Sequence, residues 1–234
     1  MDFKKEAAGK AVTLIKNNST VGLGAGSTIT HMVEILQQEI KNGLAIKMMT
    51  SSFTTRQLLQ KNGFDILFTG SVAELDIYFD GCDQVDKDLN ALKSGGGIHT
   101  QEKLLASMAR EFILVGDEGK YVDKFDSRFP LVLEVLPEAL HYVPARIQML
   151  FPGVITALRV SDKKDGAVVT DNGNYLIDLW FQDWPELSEL NTSLKCITGV
   201  VETSLFYSLA HKAIIAGRDG VRILEKDNVK RRIT

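Results

Sequence analysis

Four side chains able to carry or stabilise a proton stand close together in the middle of the chain: Asp80, Asp83, Lys93 and Glu102. Three consecutive glycines, residues 95–97, lie between the lysine and the glutamate. Carboxylates commonly move protons in enzymes, and a lysine beside backbone N–H groups stabilises a developing oxyanion. The spacing therefore predicts proton transfer around a glycine loop.

Each of these residues also has a simpler interpretation. A carboxylate in the first turn of a helix, such as Glu102, is favoured by the helix dipole alone. Aspartates in a loop form Asx turns, and we expect only that role for Asp86 and Asp88. The acidic loop does not match an EF-hand, and no histidine or further cysteine completes a zinc site. We therefore expect no metal and no cofactor.

A second glycine-rich segment, residues 22–28, connects a short apolar strand to a helix. Backbone N–H groups at a helix start, with the positive end of the helix dipole, favour an anion such as phosphate. The segment is neither a Walker A loop nor a complete dinucleotide fingerprint. The alternative is a structural turn capped by Ser27. The candidate phosphate contacts are Gly24, Ala25, Gly26, Ser27 and Thr28, with Lys120 reaching the same anion.

Helix and strand patterns alternate over the first part of the chain and must position these residues. This alternation predicts an α/β fold with a Rossmann-like, mostly parallel sheet flanked by helices. Ligands of such sheets bind beyond the carboxyl ends of the strands, where the candidate residues fall. We predict helices over residues 4–16, 27–40, 52–63 and 97–112, strands over 19–24, 44–50 and 113–118, and apolar runs ending at glycine over 65–70 and 76–81.

The pattern changes after Phe129 to strand, helix, hairpin and helix, which predicts a second, smaller α+β domain. We place that domain at residues 129–200, beside a larger catalytic domain of residues 1–128 and 201–234. Pro144 is expected to bend the first helix or to separate its start. The segment Thr170–Asn174 is expected to be a structural turn. Strands are predicted over 131–137, 156–160 and 175–181, helices over 138–150 and 184–194, and returning segments over 200–206 and 211–217.

Composition narrows the class of protein. The chain has 234 residues, of which 44% are apolar and 24% charged, and a net charge of −3 at pH 7. Proteins that bind nucleic acid or anionic membranes usually carry a basic excess, so we expect neither partner. Two cysteines, no secretory leader and no long apolar segment favour the cytoplasm. The charged end, residues 225–234, is expected to lie in solvent.

Together, the residues fit proton abstraction next to a carbonyl on a small phosphorylated substrate. Aldose–ketose isomerisation is the simplest such reaction. It requires one base for the proton that moves between adjacent carbons, groups that move a proton between two oxygens, and a positive site for the enediolate.

Six segments resemble the type A ribose-5-phosphate isomerase family in order and spacing, and they cover nearly the whole chain. The specific signature is DGxD, followed by K-x-G-G-G and then by Glu-Lys nine residues after the first lysine. The segments are GLGAGST (22–28), DIYFDGCDQVD (76–86), LKSGGGIHTQEKLLA (92–106), VGDEGK (115–120), LPEALHYVPARI (136–147) and TDNGN (170–174).

The resemblance implies a two-domain enzyme that interconverts D-ribose 5-phosphate and D-ribulose 5-phosphate through an enediolate. It implies the non-oxidative branch of the pentose phosphate pathway, no cofactor, and a homodimer or homotetramer. It assigns Glu102 the proton that moves between C1 and C2, and Asp80, with Asp83 alongside, the proton that moves between O1 and O2. The oxyanion would be stabilised by Lys93, Gly95, Gly96 and Gly97, and the phosphate held by Ser27, Thr28, Lys120 and Lys4.

The chain departs from the family pattern at Ala25, Cys82, Gln84 and Ser94, where the family usually has Thr, Ala, Glu and Gly. Every position that is assigned chemistry is kept, so we expect activity. Two alternatives remain open at this point. One is a regulatory domain that binds a sugar phosphate without turning it over, and the other is a different phosphosugar isomerase or a CoA transferase.

Overall fold

The computed structural model describes residues 2–226. The charged end, residues 225–234, was expected to lie in solvent. From residue 227 onward it is outside the described residues. The helices are α1 (Phe3–Val12), α2 (Ser27–Lys41), α3 (Phe53–Lys61), α4 (His99–Met108), α5 (Tyr142–Leu150) and α6 (Leu187–Lys195). The strands are β1 (Ser19–Leu23), β2 (Ile46–Thr50), β3 (Leu75–Asp80), β4 (Gln84–Val85), β5 (Ala91–Leu92), β6 (Ala109–Asp117), β7 (Leu131–Val135), β8 (Ile155–Leu158), β9 (Tyr175–Trp180), β10 (Val200–Thr203), β11 (Leu205–Phe206), β12 (Lys212–Gly217) and β13 (Gly220–Glu225).

The main sheet has six strands in the order β13-β12-β6-β3-β1-β2. All neighbouring strands are parallel except β12 and β13, which form an antiparallel pair at one edge. The central strands are buried along most of their length, as expected for a parallel sheet that is covered on both faces. The predicted α/β fold with a mostly parallel sheet is confirmed.

Helices cover both faces of this sheet. On one face, the alanines of α1 allow it to pack closely against α2 and against β6 and β12. On the other face, Leu105 and Ala106 of α4 pack with the rings of Tyr78 and Phe112. As a result, the first turns of α2 and α4 lie at the same edge of the sheet as the carboxyl ends of β1, β3 and β6.

Two smaller antiparallel sheets complete the fold. One has the order β10-β7-β9-β8 and shares an apolar core with α5 and α6. The other, β11-β5-β4, joins the segment before Lys93 to residues 205–206. The antiparallel strands, the two helices and the tight turn at Gly173, whose φ is 81°, agree with the predicted α+β pattern.

Some predicted boundaries were wrong. The helix predicted over residues 97–112 ends at Met108, because Ala109 pairs with Leu75 of β3 and opens strand β6. Pairing in the sheet overrides the helical propensity of this segment. The apolar run over residues 65–70, for which no strand was predicted, makes one parallel bridge, between Ile66 and Met48. Strand β13 was not predicted at all.

Of the two outcomes expected at Pro144, the structure shows a separate helix start and no bend within a long helix. The predicted helix is divided into a 3-10 turn at Pro137–Ala139 and the helix α5, and Pro144 lies in the first turn of α5. A proline is tolerated there because the first N–H groups of a helix have no partner within it.

The division into two domains stays a prediction. Strand β10 extends to Thr203 and pairs with β7, so the four-stranded sheet reaches beyond the predicted limit at residue 200. We therefore propose that the return to the larger domain begins after Thr203. Between residues 2 and 226, no helix has both the length and the apolar character needed to cross a membrane.

Candidate active site

The carboxyl ends of β1, β3 and β6 and the first turns of α2 and α4 border a cavity of about 390 Å³. It lies at the edge of the sheet at which the sequence predicts a ligand. The predicted residues that border it are Lys4, Ala25, Gly26, Ser27, Thr28, Asp83, Lys93, Gly95, Gly96, Glu102 and Lys120. Three further predicted residues, Asp80, Gly24 and Gly97, are not among the residues that border it.

The loop after β1 presents the start of α2 to the cavity. Gly26 adopts a φ of 100°, which favours glycine, and occupies the N-cap position. No side chain caps the helix, so Ser27 is not the cap that the structural alternative required. Ser27 and Thr28 border the cavity from the first turn, together with Lys4 from α1 and Lys120 from the turn after β6. This end of the cavity therefore combines helix N–H groups, hydroxyls and two positive charges, a composition suited to phosphate.

Gly24 and Gly97 are required for packing. A Cβ on Gly24 would lie 1.9–2.4 Å from the carboxylate atoms of Asp80, so glycine leaves the space which that carboxylate fills. The hydroxyl of Thr55 holds this loop by donating to the carbonyl oxygen of Gly24 at 2.7 Å. Gly97 has a φ of 69°, and a Cβ there would lie 2.8 Å from Cδ1 of Leu176. Both glycines are thus explained by packing, and the expectation that they contact the ligand stays a prediction.

Asp80 lies behind the cavity wall and is fully buried. Its Oδ1 accepts hydrogen bonds from the N–H of Gly81 at 2.8 Å and from the N–H of Ala25 at 3.2 Å. Its Oδ2 accepts one from the hydroxyl of Tyr78 at 2.7 Å and lies 2.9 Å from Nζ of Lys93. Both oxygens are thus occupied by protein donors, an arrangement that suits a structural anchor better than a group that contacts substrate.

Lys93 joins the two buried carboxylates. Its Nζ lies 2.9 Å from Oδ2 of Asp80 and 3.3 Å from Oε1 of Glu102, and donates to the carbonyl oxygen of Gly81 at 2.6 Å. Burial disfavours the charged form of Lys93, but the two carboxylates outweigh it and raise its pKa. The ammonium therefore keeps its charge at neutral pH inside the site.

Glu102 lies in the first turn of α4 and borders the cavity, with 3% of its surface exposed. Its Oε2 is buried without a hydrogen-bond partner, while Oε1 faces Lys93. Burial, followed by the charge of Asp80, raises the pKa of Glu102 to about 8, and Lys93 opposes this shift. A carboxylate with a raised pKa and one free oxygen at a cavity has the properties of a general base.

Asp83 holds the second glycine loop. Its Oδ2 accepts hydrogen bonds from the N–H of Ser94 at 2.6 Å and from the N–H of Gly95 at 3.2 Å. The hydroxyl of Ser94 donates to the carbonyl oxygen of Pro130 at 2.5 Å and ties the loop to the start of β7. Gly96 has a φ of 72°, so its backbone conformation favours glycine. Lys93 and Glu102 are thereby placed on either side of a restrained loop.

Several residues at the site were not predicted. Cys82 is semi-buried and borders the cavity, and burial raises the pKa of its thiol to about 12, so it is protonated at neutral pH. A search of the strand ends would have indicated most of the others, because they directly follow β3 or end β6. The other residues that border the cavity and were not predicted are Gly81, Ile98, Val115, Gly116 and Asp117.

The turn at residues 170–174 is structural, as expected, and it also supports α4. The buried carboxylate of Glu134 accepts hydrogen bonds from Thr170, Asn172 and Asn174 of this turn, at 2.8–2.9 Å. The same carboxylate accepts one from the hydroxyl of Thr100, in the first turn of α4. Burial raises the pKa of Glu134, but these hydrogen bonds outweigh it and the net shift is downward.

The described acidic residues near the cavity are not grouped as metal ligands are. Within the described part of the chain, no three His, Cys, Asp or Glu side chains are grouped in a way that could hold a metal ion. Within the acidic loop, the carboxylate of Asp86 accepts hydrogen bonds from the N–H groups of Asp88 and Asn90. The Asx-turn role expected of Asp86 is confirmed.

The family model of ribose 5-phosphate isomerase A (phosphoriboisomerase A) matches residues 47–220. The chain belongs to this family. The isomerase is 38% identical to ribose-5-phosphate isomerase of Homo sapiens over 230 residues, which are 95% of this chain and 73% of the human protein. The resemblance seen in the sequence is thus confirmed, and with it ribose-5-phosphate isomerase activity in the pentose phosphate pathway.

Solved structures show the same fold for the isomerase. Ribose 5-phosphate isomerase A of Methanocaldococcus jannaschii matches it with a TM-score of 0.88 and 34% identity, covering 96% of this chain and 99% of the other. A D-ribose-5-phosphate isomerase in complex with phospho-erythronic acid matches with a TM-score of 0.90 and 32% identity, covering 96% of this chain and 100% of the other. The family assignment decides against the regulatory domain and the CoA transferase.

Proposed function

We propose that the isomerase interconverts D-ribose 5-phosphate and D-ribulose 5-phosphate through an enediolate, with Glu102 carrying the proton between C1 and C2. The observation that carries this proposal is the buried Oε2 of Glu102, which has no partner and belongs to a residue that borders the cavity. A general base works best when its pKa lies near the operating pH. The pKa of about 8 meets that condition, while an ordinary glutamate would be a weaker base.

Lys93 stabilises the negative charge that develops on the substrate oxygens. Lys93 borders the cavity, and the two carboxylates around its ammonium keep it protonated. A charge held in advance in a buried site needs no reorganisation when the enediolate forms, and for that reason it stabilises the transition state more than the ground state. The backbone of Gly95 and Gly96 borders the cavity beside this oxyanion.

The two aspartates take different roles. Asp83 borders the cavity and is the carboxylate placed to move the proton between O1 and O2. Asp80 acts through its neighbours, because both of its oxygens are engaged by Gly81, Ala25, Tyr78 and Lys93. We therefore assign Asp80 as a positioning residue that holds Lys93 and the first glycine loop. This replaces the role in O1–O2 proton transfer that the family resemblance implies for it.

The phosphate lies at the far end of the cavity, among Lys4, Ser27, Thr28 and Lys120. A solved relative is in complex with phospho-erythronic acid, which supports a site that accepts a phosphorylated sugar acid. That compound carries a phosphate at one end and a planar carboxylate at the other, and the two oxygens of the carboxylate resemble those of an enediolate. We expect the isomerase to bind the same compound with its carboxylate beside Lys93.

The direct test uses the purified chain with ribose 5-phosphate and follows the formation of ribulose 5-phosphate. We expect turnover, competitive inhibition by phospho-erythronate, and no loss of rate after treatment with EDTA, since the described residues include no group of three His, Cys, Asp or Glu side chains that could hold a metal ion. Binding of ribose 5-phosphate without turnover would contradict the proposal, and loss of activity that a divalent ion restores would contradict its metal-free mechanism.

We also propose that the isomerase is a homodimer or homotetramer that acts in the cytoplasm. The family resemblance supports the assembly, and the composition supports the compartment. Sedimentation equilibrium distinguishes these assemblies from a monomer, and cell fractionation tests the location.

A further inference from the structure

The geometry points to Tyr78 as a positioning residue for the isomerisation, whose buried hydroxyl holds Asp80 and thereby sets how Lys93 is shared between Asp80 and Glu102. The inference rests on the proposed roles of Glu102 and Lys93. Nothing in the sequence motifs assigns a function to this tyrosine, which precedes the DGxD signature by two residues.

Tyr78 is held rigidly and has no access to the cavity. It is fully buried, and its ring stacks on Phe112 with centroids 5.3 Å apart and an interplanar angle of 28°. On β1, a Cβ on Gly22 would lie 2.6 Å from the ring, so glycine allows the tyrosine to pack against the backbone of that strand. The hydroxyl therefore has a fixed position from which it can act only through its hydrogen bonds.

The hydroxyl donates to the same oxygen that contacts Lys93. Tyr78 approaches Oδ2 of Asp80 at 2.7 Å, and Nζ of Lys93 approaches the same atom at 2.9 Å. On its other side, the hydroxyl lies 3.5 Å from Oγ of Ser51. Burial, followed by the charges of Asp80 and Glu102, raises the pKa of Tyr78 well above its ordinary value, so it remains a donor throughout the working range.

Removal of the hydroxyl of Tyr78 should raise the pKa of Glu102. The positive end of the O–H dipole partly offsets the negative potential of the Asp80 carboxylate, and that potential raises the pKa of Glu102. Without it, Oδ2 has Lys93 as its remaining partner, and Lys93 is drawn toward Asp80 and away from Glu102. Both effects favour protonated Glu102, so the base becomes available only at higher pH.

Apart from Asp80, no titratable group of the described residues has a hydrogen bond with the hydroxyl of Tyr78. Tyr78 packs against Phe112 of β6, Gly22 of β1 and Ser51, none of which is charged. The remaining groups that border the cavity are Lys4 on α1, Cys82 and Asp83 after β3, and Asp117 and Lys120 at the end of β6.

The test compares the pH profile of kcat/KM of the whole enzyme with that of Tyr78→Phe. We expect the acid limb near pH 8 to move upward by about 0.5–1 unit, since the hydrogen bond acts on Glu102 through Asp80. At pH 7 this corresponds to a loss of about 3–10-fold, while the plateau at high pH and KM change by less than about threefold. The matched control is Tyr175→Phe, at a partly buried tyrosine that packs against the core of the four-stranded sheet, for which we expect the profile of the wild type.

A second variant keeps the proposal testable if Tyr78→Phe folds poorly. Replacement of Tyr78 by 3-fluorotyrosine retains the ring and the hydroxyl and makes the phenol a stronger donor. We expect the acid limb to move in the opposite direction, to lower pH. A limb that stays in place in both variants, or an equal loss at every pH, would show that the hydroxyl serves packing alone and would overturn the inference.

Failure of this inference is distinguishable from failure of the proposed function. In Glu102→Gln the limb near pH 8 should vanish, and a limb near pH 6 from the substrate phosphate should remain. If the limb near pH 8 persists in Glu102→Gln, the proposed base is wrong. If it vanishes there but does not move in the two Tyr78 variants, the base stands and the role of Tyr78 is rejected.

Discussion

Substitution of Lys93 by methionine removes the positive charge at the centre of the site and keeps most of the side-chain volume. Nζ lies 3.3 Å from Oε1 of Glu102, and at an effective dielectric constant of about 20 this pair is worth about 5 kcal/mol. That energy corresponds to an upper limit of about 3–4 units in the pKa of Glu102. Because Lys93 is shared with Asp80, we expect a shift of about 1–3 units.

The direction in which the acid limb moves follows from the proposed role of Glu102 as the base. Lys93 lowers the pKa of Glu102, so its removal raises that pKa above about 8 and moves the acid limb of kcat/KM to higher pH. The plateau should also fall by about 10²–10³-fold, the usual cost of losing one group that stabilises an oxyanion. At pH 7 the two effects combine, so the loss in Lys93→Met should exceed about 10³-fold.

The assay is formation of ribulose 5-phosphate at saturating and limiting substrate between pH 6 and 10. Lys120→Met is the matched control, because it removes a charge from the same cavity but is not among the groups that shift Glu102. Removal of one partner from a buried ion pair costs about 3–5 kcal/mol, so the fold of each variant is checked by thermal melting. An acid limb at the wild-type pH, in a folded Lys93→Met enzyme, would refute the coupling between Lys93 and Glu102.

Two further substitutions separate binding from chemistry. Lys120→Met should raise KM by about 10-fold or more with a smaller change in kcat, because the phosphate does not react. Steady-state kinetics and inhibition by inorganic phosphate measure this effect. An unchanged KM would place the phosphate elsewhere. Cys82→Ala should retain kcat within about threefold, and iodoacetamide should alkylate the wild type slowly at pH 7, because the pKa of about 12 leaves little thiolate; an inactive alanine variant would reveal a chemical role for the thiol.

The residues that border the cavity were the part most accessible from the sequence. Lys93, Glu102 and Asp83 lie within a few residues of a glycine and near the ends of elements, where loops from a parallel sheet converge, so local pattern and topology together locate them. The mostly parallel sheet followed in the same way from the alternation of helix and strand. The register of sheet pairing is set by distant residues, and for this reason the start of β6 at Ala109 was mistaken for helix.

The role of Asp80 could not be obtained from spacing alone. The position of Asp80 on a strand, two residues after Tyr78, does not reveal that four donors contact its carboxylate. These donors are Tyr78, Lys93 and the N–H groups of Gly81 and Ala25. That convergence depends on Gly24, which leaves space for the carboxylate. The link from Glu134 to the first turn of α4 was missed for a similar reason, because residues 170–174 are distant from it in the sequence.

Strand β13 was not predicted, because long-range pairing also defines it. Its side chains are largely exposed, so the segment from Gly220 to Glu225 has no strong pattern of burial that would distinguish it from a loop. Pairing with β12 along its whole length makes it a strand. Edge strands of this kind are specified mainly by their backbone partners.

The measurement that tests the central claim most directly is the kinetics of Glu102→Gln together with exchange of the substrate C2 proton with solvent. Glutamine keeps the shape of the side chain in the first turn of α4 but cannot accept the proton. We expect kcat to fall by at least about 10²-fold with a much smaller change in KM, and proton exchange to fall in parallel. A folded Glu102→Gln enzyme within a few-fold of the wild type in both turnover and exchange would contradict the assignment of Glu102 as the base.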